Sequence, residues 1–320
     1  MIYVKHKFGH REFGANTIAF VTGDNDIVYN MSMRALQCST LRFSTIEDNS
    51  YLFFILALIR NIFGKKTSGL LLNPWAVFKK RSIKALFKKS VLMFFKRCKH
   101  ITVICYVPYY LDDRYELISE DWIYDLEFWD LMLLEREKLL PVQSEKVKDK
   151  TSIYFLGAIA ARKGINLLSF LKKNLTPQVG DIEFVIKGKI QGDTHAIRES
   201  LVWLNDCIED KYLSDSEFIY YASKSTHLWC CYDPSYNSSS GILGRALQLN
   251  KVPIIRKGSS IDLICQYENL DCMRLVYEEH PSISKSFLRS LEEKPIAASA
   301  NLKFVQKALS RSVKVIKKRF

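Results

Sequence analysis

From Thr151 onward the sequence alternates short, continuously apolar runs with longer segments of helical periodicity, and few folds accept that rhythm. Residues 152–156 (SIYFL), 182–187 (IEFVIK), 217–221 (EFIYY), 227–232 (HLWCCY) and 252–255 (VPII) read as strands, and 163–173, 195–208 and 241–250 as helices. Strands that lack a polar face are buried on both sides, as in a parallel sheet covered by helices. A doubly wound α/β sheet is therefore expected over 151–300.

The first half carries the same signals more faintly. Ile18–Thr22 (IAFVT) reads as a strand ended by Gly23, and the polar GDND and residues 27–36 continue it as turn and helix. Residues 68–73 (SGLLLN) form a strand stopped by Pro74, and 100–107 (HITVICYV) another stopped by Pro108. Between them, 79–99 has helical periodicity, with Ile83, Leu86, Phe87, Val91, Phe94 and Phe95 near one face and lysines on the other. Two readings of this helix stay open: docking on an anionic membrane surface through its lysines, and an ordinary domain helix whose apolar face meets the sheet while its lysines are solvated. The acidic, aromatic stretch 119–140 reads as helix, and 141–150 (PVQSEKVKDK) as a linker. A chain of 320 residues fits two domains of ordinary size. The expectation is an α/β protein with two Rossmann-like domains, 1–145 and 151–300, facing a central cleft. A basic amphipathic helix, 301–320, follows and packs back on the first domain.

Composition narrows the functional classes. With 48% apolar and 25% charged residues the chain is globular. The eight cysteines (38, 98, 105, 207, 230, 231, 265 and 272) form no CxxC pair and no zinc spacing, and no secretory leader precedes them, so reduced thiols in a cytoplasmic protein are expected. The longest apolar run, YLFFILALI at 51–59, stops at Arg60, well short of the roughly 20 residues a membrane span needs. The net charge of +13 is concentrated. Between Asn49 and Leu111 stand twelve Lys or Arg and no acid, and the last twenty residues hold seven more, again with no acid. Such stretches favour polyanions: a phosphate-bearing lipid surface, a sugar-nucleotide or nucleic acid. Charge alone does not choose among them.

Two segments join a strand end to small and polar residues. In FLGAIAARKGINLLSFLKK (155–173), a strand runs into Gly157, then Arg162 and Lys163 precede Gly164 and a helix. Ligands of open α/β sheets bind at carboxyl strand ends, where a helix start offers free N–H groups, so the two cations there suit a diphosphate. Judged by charge alone, two solvated cations on a first helical turn is the plainer reading. In CYDPSYNSSSGILGRALQLNKVPII (231–255), a strand leads through Asn237, Ser238, Ser239 and Ser240 to Gly241, which opens a helix. Hydroxyls and unpaired N–H groups there can bind phosphate oxygens, and the plainer reading is that Ser240 caps the helix.

Taken in order, these segments resemble the donor-binding domain of GT-B glycosyltransferases of the large family that uses nucleotide-sugar donors (group 1, family 4-like). Gly157, Arg162, Lys163 and Gly164 match one motif, and SSSGILGRALQLNKVPII the second; the likeness covers residues 151–270. It implies that Arg162 and Lys163 contact the donor diphosphate and that Ser239, Ser240 and Gly241 lie against phosphates or sugar. Gly157, Lys187 and Ser238 complete the donor-binding set. Many relatives carry two glutamates eight positions apart around this loop, where this chain has Tyr236 and Gly244. The resemblance implies transfer of a sugar to a glycan or lipid-linked acceptor, in surface polysaccharide or glycolipid assembly, at the inner face of a membrane. No cofactor or metal is expected.

A catalytic base should come from the first half. Asp24 and His10 are the candidates, with Asp26 and His6 beside them. The plainer readings are turn aspartates and solvated histidines. His6 and His10 lack a third metal ligand, and Asp24-Asn25-Asp26, a possible DxD metal site, is set aside because the donor resemblance lies elsewhere. Two rivals stand below the enzyme: a catalytically degenerate binding protein on the same fold, motivated by the missing glutamates, and a nucleic-acid-binding protein, motivated by charge. The second lacks any recognised module, so no nucleic acid is expected.

Overall fold

The computed structural model describes residues 1–7, 10–78, 82–131, 151–175, 182–236, 240–276, 291 and 299–320. Two compact units emerge: Met1–Leu126 with Lys307–Phe320, and Glu127–Gln306. The linker expected at 141–150 lies outside the described residues.

The first unit is built on a parallel sheet of β1 (Ile2–Tyr3), β2 (Ile27–Val28), β3 (Thr40–Phe43), β4 (Lys66–Leu71), β5 (Ile101–Cys105) and β6 (Asp121–Trp122), in the order β2-β1-β3-β4-β5-β6. Its helices are α1 (His10–Thr22), α2 (Arg34–Gln37), α3 (Ser50–Ile62) and α4 (Ile83–Phe95). Tyr3, Leu41, Phe43, Leu71, Val103 and Cys105 of the sheet pack with Phe53, Phe54 and Ala57 of α3 and Leu92 and Phe95 of α4.

Residues 18–22 are helix, the last turn and a half of α1, and not the strand their β-branched composition suggested. Gly14, Ala15, Ile18 and Ala19 are buried while Asn16 and Phe20 face outward, a helical period that overrides local β-propensity. The first strand is instead Ile2–Tyr3. Over 119–129 the expected helix is replaced by β6 and a 3-10 turn at Leu126–Phe128, and helix begins only at 130–131, where the described residues end. Within 79–99, α4 begins after Ser82, whose Oγ accepts from the Ala85 amide at 3.3 Å. Its core contacts come from Ala85, Leu92 and Phe95, whereas Ile83, Leu86, Phe87 and Phe94 are exposed, so most of the face that the domain-helix reading turns toward the sheet points away from it.

The second unit holds β7 (Ser152–Leu156), β8 (Glu183–Gly188), β9 (Ile208–Asp210), β10 (His227–Cys230), β11 (Val252–Arg256) and β12 (Met273–Leu275), all parallel, in the order β12-β11-β10-β7-β8-β9. Helices α5 (Ile165–Leu175), α6 (Arg198–Leu204), α7 (Asp215–Lys224), α8 (Gly241–Gln248) and α9 (Ser260–Tyr267) connect them. Alternation along β7 divides the core: Ile153 and Phe155 pack with Leu168, Leu171, Ile186 and Trp229, and Tyr154 and Leu156 with Ala222, Leu228 and Ala246. The EFIYY run is helix α7, closed at its start by a capping box in which Ser214 and Glu217 satisfy each other's backbone amides. The strand it displaced is β9. A last helix, α10 (Ser299–Arg319), contributes residues from Lys307 to the first unit, where Phe320 O accepts from Arg42 Nε at 2.6 Å and Ser312 Oγ from the Tyr124 amide at 3.2 Å.

Candidate functional site

In the second unit the strand order reverses between β7 and β10, the two strands that feed chain to opposite sides of the sheet. Ligands of open parallel sheets bind in the crevice outside the carboxyl ends of such a pair. The segments that leave these two ends are 157–164 and 231–241, the same two that carried the sequence motifs.

Glycine makes the first segment fit. Gly157 has φ +98° and its amide donates to Lys187 O at 2.9 Å; a Cβ on Gly188 would meet Gly157 O at 1.6 Å. The carboxyl ends of β7 and β8 thus touch backbone to backbone. Gly164 has φ +78°, and a Cβ there would lie 2.0 Å from Cys231 O, so the end of β10 rests directly on it. Trp229 Nε1 donates to Lys163 O at 3.2 Å and the Asp233 amide to Arg162 O, also at 3.2 Å. These bonds fix the 3-10 turn Ala161–Lys163 against the chain leaving β10.

The two cations of that turn lie over aromatic rings. Lys163 Nζ is 4.2 Å from the Tyr232 ring centre and 4.5 Å from that of Tyr236, and the Arg162 guanidinium is 5.3 Å from Tyr236. Burial lowers the Lys163 pKa from its ordinary value, Arg162 adds to the effect, and Tyr236 opposes it. Arg162 is exposed. The Tyr232 hydroxyl lies 2.6 Å from Ser240 Oγ, which also accepts from the Leu243 amide at 3.3 Å. Ser240 is buried, at 2% exposure, and caps α8.

The start of α8 has an occupant from elsewhere in the chain. A Cβ on Gly241 would stand 1.7 Å from Glu127 Oε2, and one on Gly244 would stand 2.0 Å from Glu127 O. Gln248 Nε2 donates to Glu127 O at 2.8 Å and to Asp130 Oδ1 at 2.7 Å, Gln248 Oε1 accepts from the Leu131 amide at 2.9 Å, and Arg245 pairs with Asp130. Residues 127–131 therefore clasp α8 along one face.

Of the sequence candidates, Gly157, Arg162, Lys163, Ser240 and Gly241 gather around this switch. Ser238 and Ser239 lie outside the described residues. Lys187, at the end of β8, is paired with Glu209 and lies 4.5 Å from the Tyr221 ring centre, so its charge is already engaged. Asp24 is not at a carboxyl strand edge. It precedes β2, bonded to the Met1 amino group at 2.7 Å and paired with Arg42. Burial raises its pKa, but the bonds from that amino group and from the Asp26 amide outweigh this, and the net shift is downward. Asp26 pairs with Arg34 at 3.2 Å. His10 opens α1, with its side chain outside the described residues, and His6 is exposed.

Sequence reasoning missed three groups: Glu127, the Tyr232–Tyr236 ring pair, and Glu47. The last lines a cavity of about 380 Å³ in the first unit, at the carboxyl ends of β3 and β4, together with Ser50, Asn73, Ser82, Lys84 and Lys88. Glu47 accepts from the Asn73 amide at 2.6 Å and from Thr45 Oγ1 at 3.0 Å.

No protein-family model and no curated protein matches this sequence. Solved structures do match in fold. The structure of Anabaena Alr3699/HepE in complex with UDP superposes with a TM-score of 0.67 at 10% identity, over 99% of this chain and 96% of that one. A glycosyltransferase from Rickettsia africae gives 0.55 at 9% identity over 98% and 80%, and OtsA gives 0.58 at 8% over 98% and 77%. The two parallel six-stranded sheets with their helices are the fold of the GT-B glycosyltransferases.

Proposed function

We propose that this chain is a glycosyltransferase that takes a sugar from a nucleotide-sugar held at the β7/β10 switch and moves it to an acceptor hydroxyl. One fold hosts many chemistries, so the reading rests on the site. The observation that carries it is the pair Arg162 and Lys163, poised over Tyr232 and Tyr236 beside the start of α8. A sugar leaves its donor as the bond from the anomeric carbon to the diphosphate breaks, and negative charge grows on the departing oxygen. Two cations fixed there favour the transition state over the ground state, because the charge they meet increases along the reaction. A half-buried lysine is the more effective for being poorly solvated. The hydroxyl of Ser240 is spent on the helix cap, which leaves Ser238, Ser239 and the backbone of Gly241 for phosphate or sugar oxygens.

For the base that receives the acceptor proton, Asp24 is dropped, since its charge is committed to an ion pair at the wrong edge of its sheet. Glu47 and His10, both on chain that leaves a carboxyl strand end, are the better choices. We assign the reaction to glycolipid or surface-polysaccharide assembly with a hexosyl donor and no metal requirement. A binding protein on the same fold is the second reading, favoured by the Glu127 carboxylate lying against Gly241 where a donor phosphate would otherwise rest.

The test is calorimetric titration of the chain with UDP, GDP, ADP, TDP and their sugar conjugates, repeated on Arg162→Ala/Lys163→Ala. The HepE structure contains UDP, which makes UDP the first to try. Micromolar affinity for one nucleotide, lost in the double variant, supports the donor site; binding without transfer of labelled sugar supports the second reading; no binding by any nucleotide defeats both.

A further inference from the structure

Helix α3 has an outer face without a single charge. Tyr51, Ile55, Leu58 and Ile62 follow one another at helical spacing along it, exposed by 54%, 56%, 39% and 80%, and Phe63 continues the stripe. The one charged residue of the helix, Arg60, is turned fully inward, where its guanidinium donates to Cys38 O at 3.0 Å, Lys66 O at 2.7 Å and Thr67 Oγ1 at 2.9 Å. On α4 a second apolar stripe, Ile83, Leu86, Phe87 and Phe94, is likewise outside. The stripes join where Tyr51 stacks on Phe87, ring centres 6.5 Å apart. Trp75, half exposed in the turn packed beside α4, adds an aromatic with a polar edge.

Contiguous exposed apolar surface of this kind requires a partner. Its surroundings select one. Lys84, Lys96 and Arg97 on α4 and its end and Lys66 after α3 are exposed, Lys88 and Lys89 are half-buried beside them, and all lie in the acid-free stretch between Asn49 and Leu111. A second copy of this chain would bring two such cationic rims together, on molecules that each carry +13. An anionic bilayer offers the opposite: acyl chains for the stripe and phosphates for the rim, with Tyr and Trp at the level between them.

We infer that the outer face of α3 and α4 is a membrane-docking surface that lies in the interface of an anionic bilayer, its apolar stripes inserted and its lysines on lipid phosphates. The inference stands apart from the donor site and holds whether or not the chain transfers sugar. Core packing by Phe53, Phe54, Ala57, Ala85, Leu92 and Phe95 is untouched by it, because those side chains point the other way.

Vesicle co-sedimentation of the full chain tests it, with phosphatidylglycerol/phosphatidylcholine vesicles against pure phosphatidylcholine, on wild type, Ile55→Ser/Ile62→Ser/Phe94→Ser and Lys89→Gln/Lys96→Gln/Arg97→Gln. Wild type should prefer the anionic vesicles by at least about tenfold, and each triple variant should lose about tenfold of that binding. Both should keep the wild-type melting temperature. Absence of vesicle binding by wild type overturns the inference, as does binding unchanged by the serine variant. A wild-type dimer in solution that the serine variant splits into monomers would assign the face to a second copy instead.

Discussion

Glu127 holds its carboxylate against the Cα of Gly241, the first residue of α8, so closely that no Cβ fits between them: one would lie 1.7 Å from Oε2 and 2.6 Å from Oε1. An internal anion thus stands at the positive end of the helix, the natural seat of a phosphate. Two glycines one turn apart face the same segment but meet different atoms. At Gly241 the obstacle is the far end of a side chain, which can rotate away. At Gly244 it is the carbonyl of Glu127, whose position is fixed by the bond from Gln248. Gly244→Ala should therefore cost about 3 kcal/mol even after gaining the better helix propensity of alanine, and Gly241→Ala no more than about 1 kcal/mol. Urea denaturation of the two variants checks the ordering.

The carboxylate has a further consequence for ligand binding. If a donor phosphate takes the helix end, it must share it with Glu127, and like charges oppose each other there. Glu127→Gln keeps the shape and removes the charge, so nucleotide-diphosphate affinity should rise by about fivefold, the worth of roughly 1 kcal/mol at a helix terminus. Calorimetry on the variant decides it: unchanged or weaker affinity would place the phosphates elsewhere, or make the carboxylate a contact to the sugar.

Lys163 gives the site a pH signature. Burial holds its pKa below the ordinary lysine value, so the ammonium loses its proton at a lower pH than a solvated lysine would. The diphosphate needs the charged form. Nucleotide affinity should be constant at neutral pH and fall as pH rises through the lowered pKa, before ordinary lysines titrate. Lys163→Arg, which stays charged, should keep its affinity across that range. Affinities measured from about pH 7 to 10.5 on both proteins test the assignment, and parallel curves would refute it.

The cations and the serine-glycine loop could be read from the sequence because each belongs to one continuous segment whose spacing is local. The strand rhythm after Thr151 was legible for the same reason, since β7 and β10 are fully buried runs, β11 is buried at its centre and β8 alternates between half-buried and buried positions. What failed was what depends on the rest of the fold. IAFVT and EFIYY have strand composition, yet the first continues a helix through Gly14 and Ala15, and the second begins at Glu217 of a Ser214–Glu217 capping box that starts one. The latter signal was present in the letters S-x-x-E. β1 and β2, two residues each, are too short to leave a period. Glu127 could not be found at all, because nothing near it in sequence links it to Gly241. Tyr232 and Tyr236 were within reach: an aromatic pair four apart beside a cation site was a usable sign. The outward turn of α4 was left undecided between two readings, because its apolar residues outnumber those the core can take.

His227 offers a test of stability that is independent of any ligand. It opens β10, at the amino edge of the sheet, 1% exposed, with Nδ1 2.8 Å from Thr226 Oγ1. Burial drives its pKa down to about 4, against a smaller upward effect from a backbone hydrogen bond with Ser152. The imidazole is therefore neutral in the fold down to about pH 4, while in the unfolded chain it takes a proton below about pH 6.5. Between these values the unfolded state binds the extra proton, so stability falls as pH falls. The loss is complete near pH 4, because below it both states are protonated. The span from 6.5 to about 4 corresponds to roughly 3 kcal/mol. Denaturation curves between about pH 7.5 and 4 should show this decline in wild type. His227→Gln, with no proton to gain, should start less stable at about pH 7.5 and decline less, and an equal slope in both proteins would assign the acid sensitivity to carboxylates instead.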